Sequence, residues 1–127
     1  MVNNKIVSEW IDYAQRDLES AKYLLSMRPI PLEIVCYHCQ QAAEKFLKSF
    51  LISNIEQIKR IHDLQYLCKL CIQFDSSFST LEDACIDLTE YCIQARYPFH
   101  IDIEESDMRL AIKNAELIRD SIIKLKI

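Results

Sequence analysis

The chain has 127 residues, 50% of them hydrophobic and 27% charged, with a formal net charge of -4. That length suits one continuous core, so residues 1–127 are read as a single domain. The acidic balance opposes strong non-specific binding to nucleic acid, which depends on lysine and arginine neutralising phosphates.

Glycine is absent altogether. Phosphate-cradling loops of the Rossmann and P-loop types need glycine for close backbone approach, so both are excluded, and tight hairpins become unfavourable. No apolar run approaches the roughly 18 residues of a membrane span. The opening residues, Met1 to Lys5, lack the basic-then-apolar order of a secretory signal. A cytoplasmic chain with no membrane association is the expectation. In such a reducing compartment the six cysteines are expected as thiols.

Five amphipathic stretches follow one another with short connections, which predicts an all-α, up-and-down bundle of about five helices. The first runs from near Val7 to Met27, with Trp10, Ala14, Leu18, Ala21 and Leu25 on one apolar face. Arg28-Pro29-Ile30-Pro31 stops it, because proline lacks an amide hydrogen and restricts its predecessor. The second starts at Pro31 and reaches about Ile52. Val35, Cys39, Ala42, Ala43, Phe46 and Phe50 share one side, and His38, Gln41, Lys45 and Lys48 line the other.

The third covers roughly His62 to Phe74, with Leu64, Leu67, Leu70, Cys71 and Phe74 expected to face inward. After the polar link Asp75-Ser76-Ser77, Ser79-Thr80-Leu81-Glu82 has the spacing of a capping box and is expected to open the fourth. Its core stripe is Leu81, Ala84, Cys85, Leu88, Cys92 and Ala95. Ile86 and Ile93 lie on the opposite side, where a monomer should be polar, and point to a further contact. Pro98 breaks this helix. The last helix runs from about Glu104 to the end, with Met108, Ala111, Ala115, Ile118 and Ile122 on one face.

Four groups of residues are candidates for chemistry. The pairs Cys36/Cys39 and Cys68/Cys71 have the C-x-x-C spacing of zinc sites, but both fall inside helical stretches among leucines and phenylalanines. Cysteine there is expected to fill core, and no metal or cofactor is assigned. His38, Gln41 and Lys45 form a polar strip that offers hydrogen bonds and one positive charge to an anionic ligand. Lys59, Arg60 and His62 make a local basic cluster suited to a phosphate contact. Asp63 beside them stands where an acid favours the start of a helix. Arg96 and His100 flank Tyr97-Pro98-Phe99. A histidine that moves a 2′-hydroxyl proton beside an arginine that stabilises phosphate charge suits metal-independent RNA cleavage.

The run Cys36-Tyr37-His38-Cys39-Gln40-Gln41-Ala42-Ala43-Glu44-Lys45-Phe46-Leu47-Lys48 resembles the signature helix of the higher eukaryotes and prokaryotes nucleotide-binding domain, abbreviated HEPN. Trp10…Ala14…Asp17-Leu18…Ala21, His62-Asp63-Leu64 and Ala95-Arg96-Tyr97-Pro98 extend the resemblance over nearly the whole chain. It implies a helical bundle that often dimerises, with His38, Gln41, Lys45, His62, Asp63, Arg96 and Tyr97 as ligand-binding residues. It also implies a nucleotide or RNA as ligand and a small nucleotidyltransferase as partner.

Some members of that family are ribonuclease toxins of toxin–antitoxin systems. Under that alternative Arg96 and His100 are catalytic. The gap between them holds only three residues, one of them Pro98, which is shorter than the toxin pattern. A further alternative is a non-catalytic interaction or dimerisation subunit that docks through Ile86 and Ile93.

Overall fold

The computed structural model describes residues 4–52, 58–91 and 102–126. The described residues form five α-helices and contain no strand. Helix α1 spans Asn4–Tyr23, α2 Leu32–Leu51, α3 Leu64–Phe74, α4 Glu82–Thr89 and α5 Glu105–Lys126. Single 3₁₀ segments at Leu24–Ser26, Ile58–Arg60 and Ser76–Leu81 tighten the connections. None of the described residues has a positive φ, so none of these turns requires glycine.

Helix α2 is the centre of the bundle. It packs most extensively on α1, then on α5 and α3, with a smaller contact to α4. Val35, Cys39, Ala42, Ala43 and Phe46 are buried as their spacing predicts. Neighbours also cover the opposite side. Lys48, expected on the polar face, is 1% exposed, and Gln40 and Glu44 are buried with it.

The core joins Ala14, Leu18 and Ala21 of α1 to Met108, Ala111, Ala115, Ile118 and Ile122 of α5. Cys36, Cys39, Cys68, Cys71 and Cys85 all lie in that cluster as free thiols, which agrees with the core-filling reading. Among the described residues no group of three or more His, Cys, Asp or Glu side chains is placed to hold a metal ion. Nor is any described helix long and apolar enough to cross a membrane.

Caps explain where the helices start. Asp63 is the N-cap of α3, and its carboxylate accepts from the Gln65 and Tyr66 amides at 2.9 and 3.3 Å. Asp75 serves the 3₁₀ segment in the same way, accepting from the Ser77 amide and hydroxyl at 3.0 and 2.7 Å. Those bonds stabilise the ionised form, so the Asp75 carboxyl titrates below its ordinary value.

Two local expectations are corrected. The proposed capping box at Ser79 does not form, because residues 76–81 continue as 3₁₀ helix and α4 begins at Glu82 without a side-chain cap. Phe74 is 49% exposed, since α3 ends there and its last turn extends past the packed surface. Cys92, Ile93, Ala95 and Pro98 lie outside the described residues.

Candidate binding site between α1 and α2

Asp17 stands three residues after Ala14 and four before Ala21, on the side of α1 that packs inward. An acid in an apolar stripe must be paired, and α2 supplies the partners. His38 and Lys45 are seven residues apart, two helical turns, so both face α1. The two Asp17 oxygens divide between them. Oδ1 lies 3.0 Å from His38 Nδ1, and Oδ2 pairs with Lys45 Nζ.

The carboxylate side chain is 16% exposed, against 29% for His38 and 26% for Lys45. All three are therefore held more firmly than surface groups, yet remain accessible. A carboxylate only accepts, so His38 Nδ1 carries the proton and donates it. Nε2 takes no part in that bond; it accepts when the ring is neutral and donates when the ring is protonated.

Gln41, between His38 and Lys45, donates from Nε2 to Gln40 Oε1 at 2.7 Å. Gln40 Nε2 in turn donates to Glu44 Oε1 at 3.3 Å and to the His62 carbonyl at 3.5 Å. The other Glu44 oxygen accepts from Lys48 Nζ at 2.9 Å and from His62 Nδ1 at 3.0 Å. His62 itself is exposed. Four of the residues expected at the site, His38, Gln41, Lys45 and His62, thus belong to two adjacent polar clusters organised by Asp17 and Glu44. Asp63 is engaged as the α3 cap. Arg96, Tyr97, His100 and the Lys59 side chain lie outside what is described.

Two surface clefts flank the Asp17 cluster. Lys45 lines one of about 360 Å³ with Ile6, Glu9, Trp10 and Tyr13. His38 lines a shallower one of about 570 Å³ with Arg16, Glu19, Ser20, Tyr23 and Leu24. The Arg16 guanidinium lies 5.0 Å from the centre of the Tyr13 ring and connects the two. Tyr13 and Tyr23 are 54% and 78% exposed. The arrangement offers aromatic faces for stacking, two cations for an anion and one oriented imidazole.

Asp17, Glu44, Tyr13 and Arg16 were not among the expected site residues. Asp17 had a readable signal in its position within the apolar stripe. Glu44 had one in the i, i+4 run of Gln40, Glu44 and Lys48. Tyr13 and Arg16 carried none, because an exposed tyrosine and arginine on α1 look like any solvated surface.

The family model of the HEPN domain matches residues 7–125. The fold is similar to the crystal structure of an archaeal HEPN homologue, with 27% identity and a TM-score of 0.71 over 94% of this chain and 96% of that one. No curated protein matches the chain significantly. With the family model spanning nearly its full length and a homologous fold superposing on it, this chain belongs to the HEPN domain family.

Proposed function

We propose that this HEPN domain binds a nucleotide, free or within RNA, on its α1–α2 face. The observation that carries the reading is the Asp17 clamp, which holds His38 and Lys45 side by side between two clefts edged with tyrosine. In this reading a base stacks on Tyr13 or Tyr23, and Lys45 and Arg16 meet the phosphates. His38 donates or accepts a hydrogen bond through Nε2. The negative total charge of the chain limits binding to this local patch and disfavours long, non-specific contacts with a nucleic-acid backbone.

Calorimetric titration of the full chain with the four ribonucleoside triphosphates tests this directly. Saturable heat with at least one of them is expected, and Lys45→Ala should weaken it about tenfold, the equivalent of about 1.4 kcal/mol. No heat with any nucleotide defeats the reading. So does binding that is indifferent to both Lys45→Ala and Tyr13→Ala.

The same reading makes the protein a dimer that works with a nucleotidyltransferase. Its support is the family membership, together with Ile86 exposed on α4. Light scattering at several concentrations, with and without the transferase, measures both associations. A strict monomer under both conditions removes them.

A further inference from the structure

The Asp17 clamp engages only one nitrogen of the His38 ring. Nδ1 donates to Asp17 Oδ1 at 3.0 Å, and a carboxylate has no hydrogen to give back, so that proton is committed. Nε2, on the far edge of the ring, has no hydrogen-bond partner among the described residues. It is also open to solvent: among those residues the only buried side-chain polar atom without a partner is Asn114 Nδ2 on α5.

The ring lines its cleft with Arg16, Glu19, Ser20, Tyr23 and Leu24, so α1 and its 3₁₀ extension form the facing wall. Arg16, Ser20 and Tyr23 are spaced by four and three residues and share one side of α1. All three carry hydrogens to donate, so the wall suits a ligand rich in acceptor oxygens. The formal charges around a neutral ring cancel, Asp17 against Lys45 and Glu19 against Arg16. The other titratable neighbours are two phenols, Tyr23 in the lining and Tyr37, whose ring centre lies 6.0 Å from that of His38. A proton on Nε2 is therefore what turns the cleft positive.

The oxygens of a phosphodiester or an ionised phosphate only accept. Such an oxygen bonds to Nε2 only if Nε2 carries a hydrogen, and with the Nδ1 hydrogen held by Asp17 the ring is then an imidazolium. An N–H on a base edge meets the neutral ring without that proton. The two occupants thus differ in whether binding takes up a proton.

We propose that this cleft is the phosphate subsite of the α1–α2 face, with the phosphate on His38 Nε2 and Arg16, and that filling it takes up a proton at His38. The inference rests on the nucleotide reading for the source of the phosphate, but the anion site stands without it. Asp17 acts as a positioning residue, because holding the Nδ1 hydrogen fixes which nitrogen is left for the ligand. Affinity for phosphate rises as pH falls through the titration of His38, since proton and anion favour each other's binding equally.

The test is an NMR pH titration of the histidine rings of the full chain, in saturating sodium sulfate and in sodium chloride of equal ionic strength. Sulfate resembles phosphate, only accepts and stays a dianion over the range titrated, so any proton taken up belongs to the protein. A rise of about one pH unit in the His38 midpoint is expected, the equivalent of about tenfold tighter binding to the imidazolium. His62, whose Nδ1 is likewise held by a carboxylate but which lines no part of this cleft, should keep its chloride midpoint. Arg16→Gln, at an exposed position, should cut the His38 shift to less than half.

A His38 midpoint that is the same in both salts overturns the proposal. So does an equal rise at His62, which marks an adventitious ion only, or a shift indifferent to Arg16→Gln. Sulfate carries no base, so the outcome is separable from the triphosphate titration. Triphosphates that bind while sulfate leaves His38 unmoved retain the nucleotide and strike this inference. Triphosphates that give no heat while sulfate raises the midpoint strike the nucleotide and retain the proton-coupled anion site.

Discussion

Glu44→Gln keeps the shape of the side chain and removes the charge on which Lys48 and His62 converge at 2.9 and 3.0 Å. His62 is mostly exposed and can turn to water, so its loss is small. Lys48 cannot, because its side chain is 2% exposed and its helix lies at the centre of the bundle. Removing one partner of a buried pair typically costs about 3–5 kcal/mol. The Lys48 ammonium also lies 5.7 Å from the centre of the Trp10 ring, a contact that survives and offsets part of this. The expected loss is therefore about 3 kcal/mol, near the low end of that range.

Urea unfolding followed by circular dichroism measures it. With a slope of about 2 kcal/mol per molar, the midpoint should fall by about 1.5 M. The double variant Glu44→Gln with Lys48→Met removes the buried ammonium as well and should return to within about 1 kcal/mol of the parent. The reasoning is refuted if the single variant loses less than about 1 kcal/mol, or if the double variant is less stable than the single.

Three further outcomes follow from the same geometry. Asp63→Ala deletes the α3 cap and should lower stability by about 1 kcal/mol, a few degrees in Tm. An unchanged Tm would mean that the cap is redundant.

Asn114→Leu removes an unpaired buried donor and should raise stability by about 1–2 kcal/mol in the same urea assay. A loss would show that Nδ2 has a partner in solution.

Burial pushes the Cys36 thiol up to about 12 and also raises Cys39 and Cys71. Cys85 is raised by its hydrogen bond with Cys68 and by burial. The unfolded chain releases these protons near the ordinary thiol value of 9.0 while the folded chain keeps them. The unfolded state then binds fewer protons, so the stabilisation present below pH 9 is lost as pH rises toward 12. Each such thiol contributes a slope of about 1.4 kcal/mol per pH unit in that window. Cys68, lowered by the bond from Cys85, works in the opposite direction. Stability measured from pH 8 to 11 should fall steeply above pH 9, and a flat profile would count against buried thiols.

Helix number, helix order and the core were legible in the sequence because they follow from local rules. Absent glycine, prolines at Pro29 and Pro31 and the three-and-four spacing of Leu18, Ala21, Phe46 or Ile118 need no knowledge of distant residues. The strip His38, Gln41 and Lys45 was legible for the same reason, since one helix places it on one side.

What that strip meets was decided only by the tertiary structure. A periodic pattern distinguishes two faces of a helix, but it does not say that a central helix has neighbours on both. Lys48, Gln40 and Glu44 are polar and nevertheless enclosed, because α2 is covered on its polar side as well as its apolar one. The partners that make this tolerable are remote in sequence. Asp17 reaches Lys45 across 28 positions, and His62 reaches Glu44 across 18. Buried charge must be neutralised in space, and spacing along one helix carries no information about which acid, from which other element, arrives to do it.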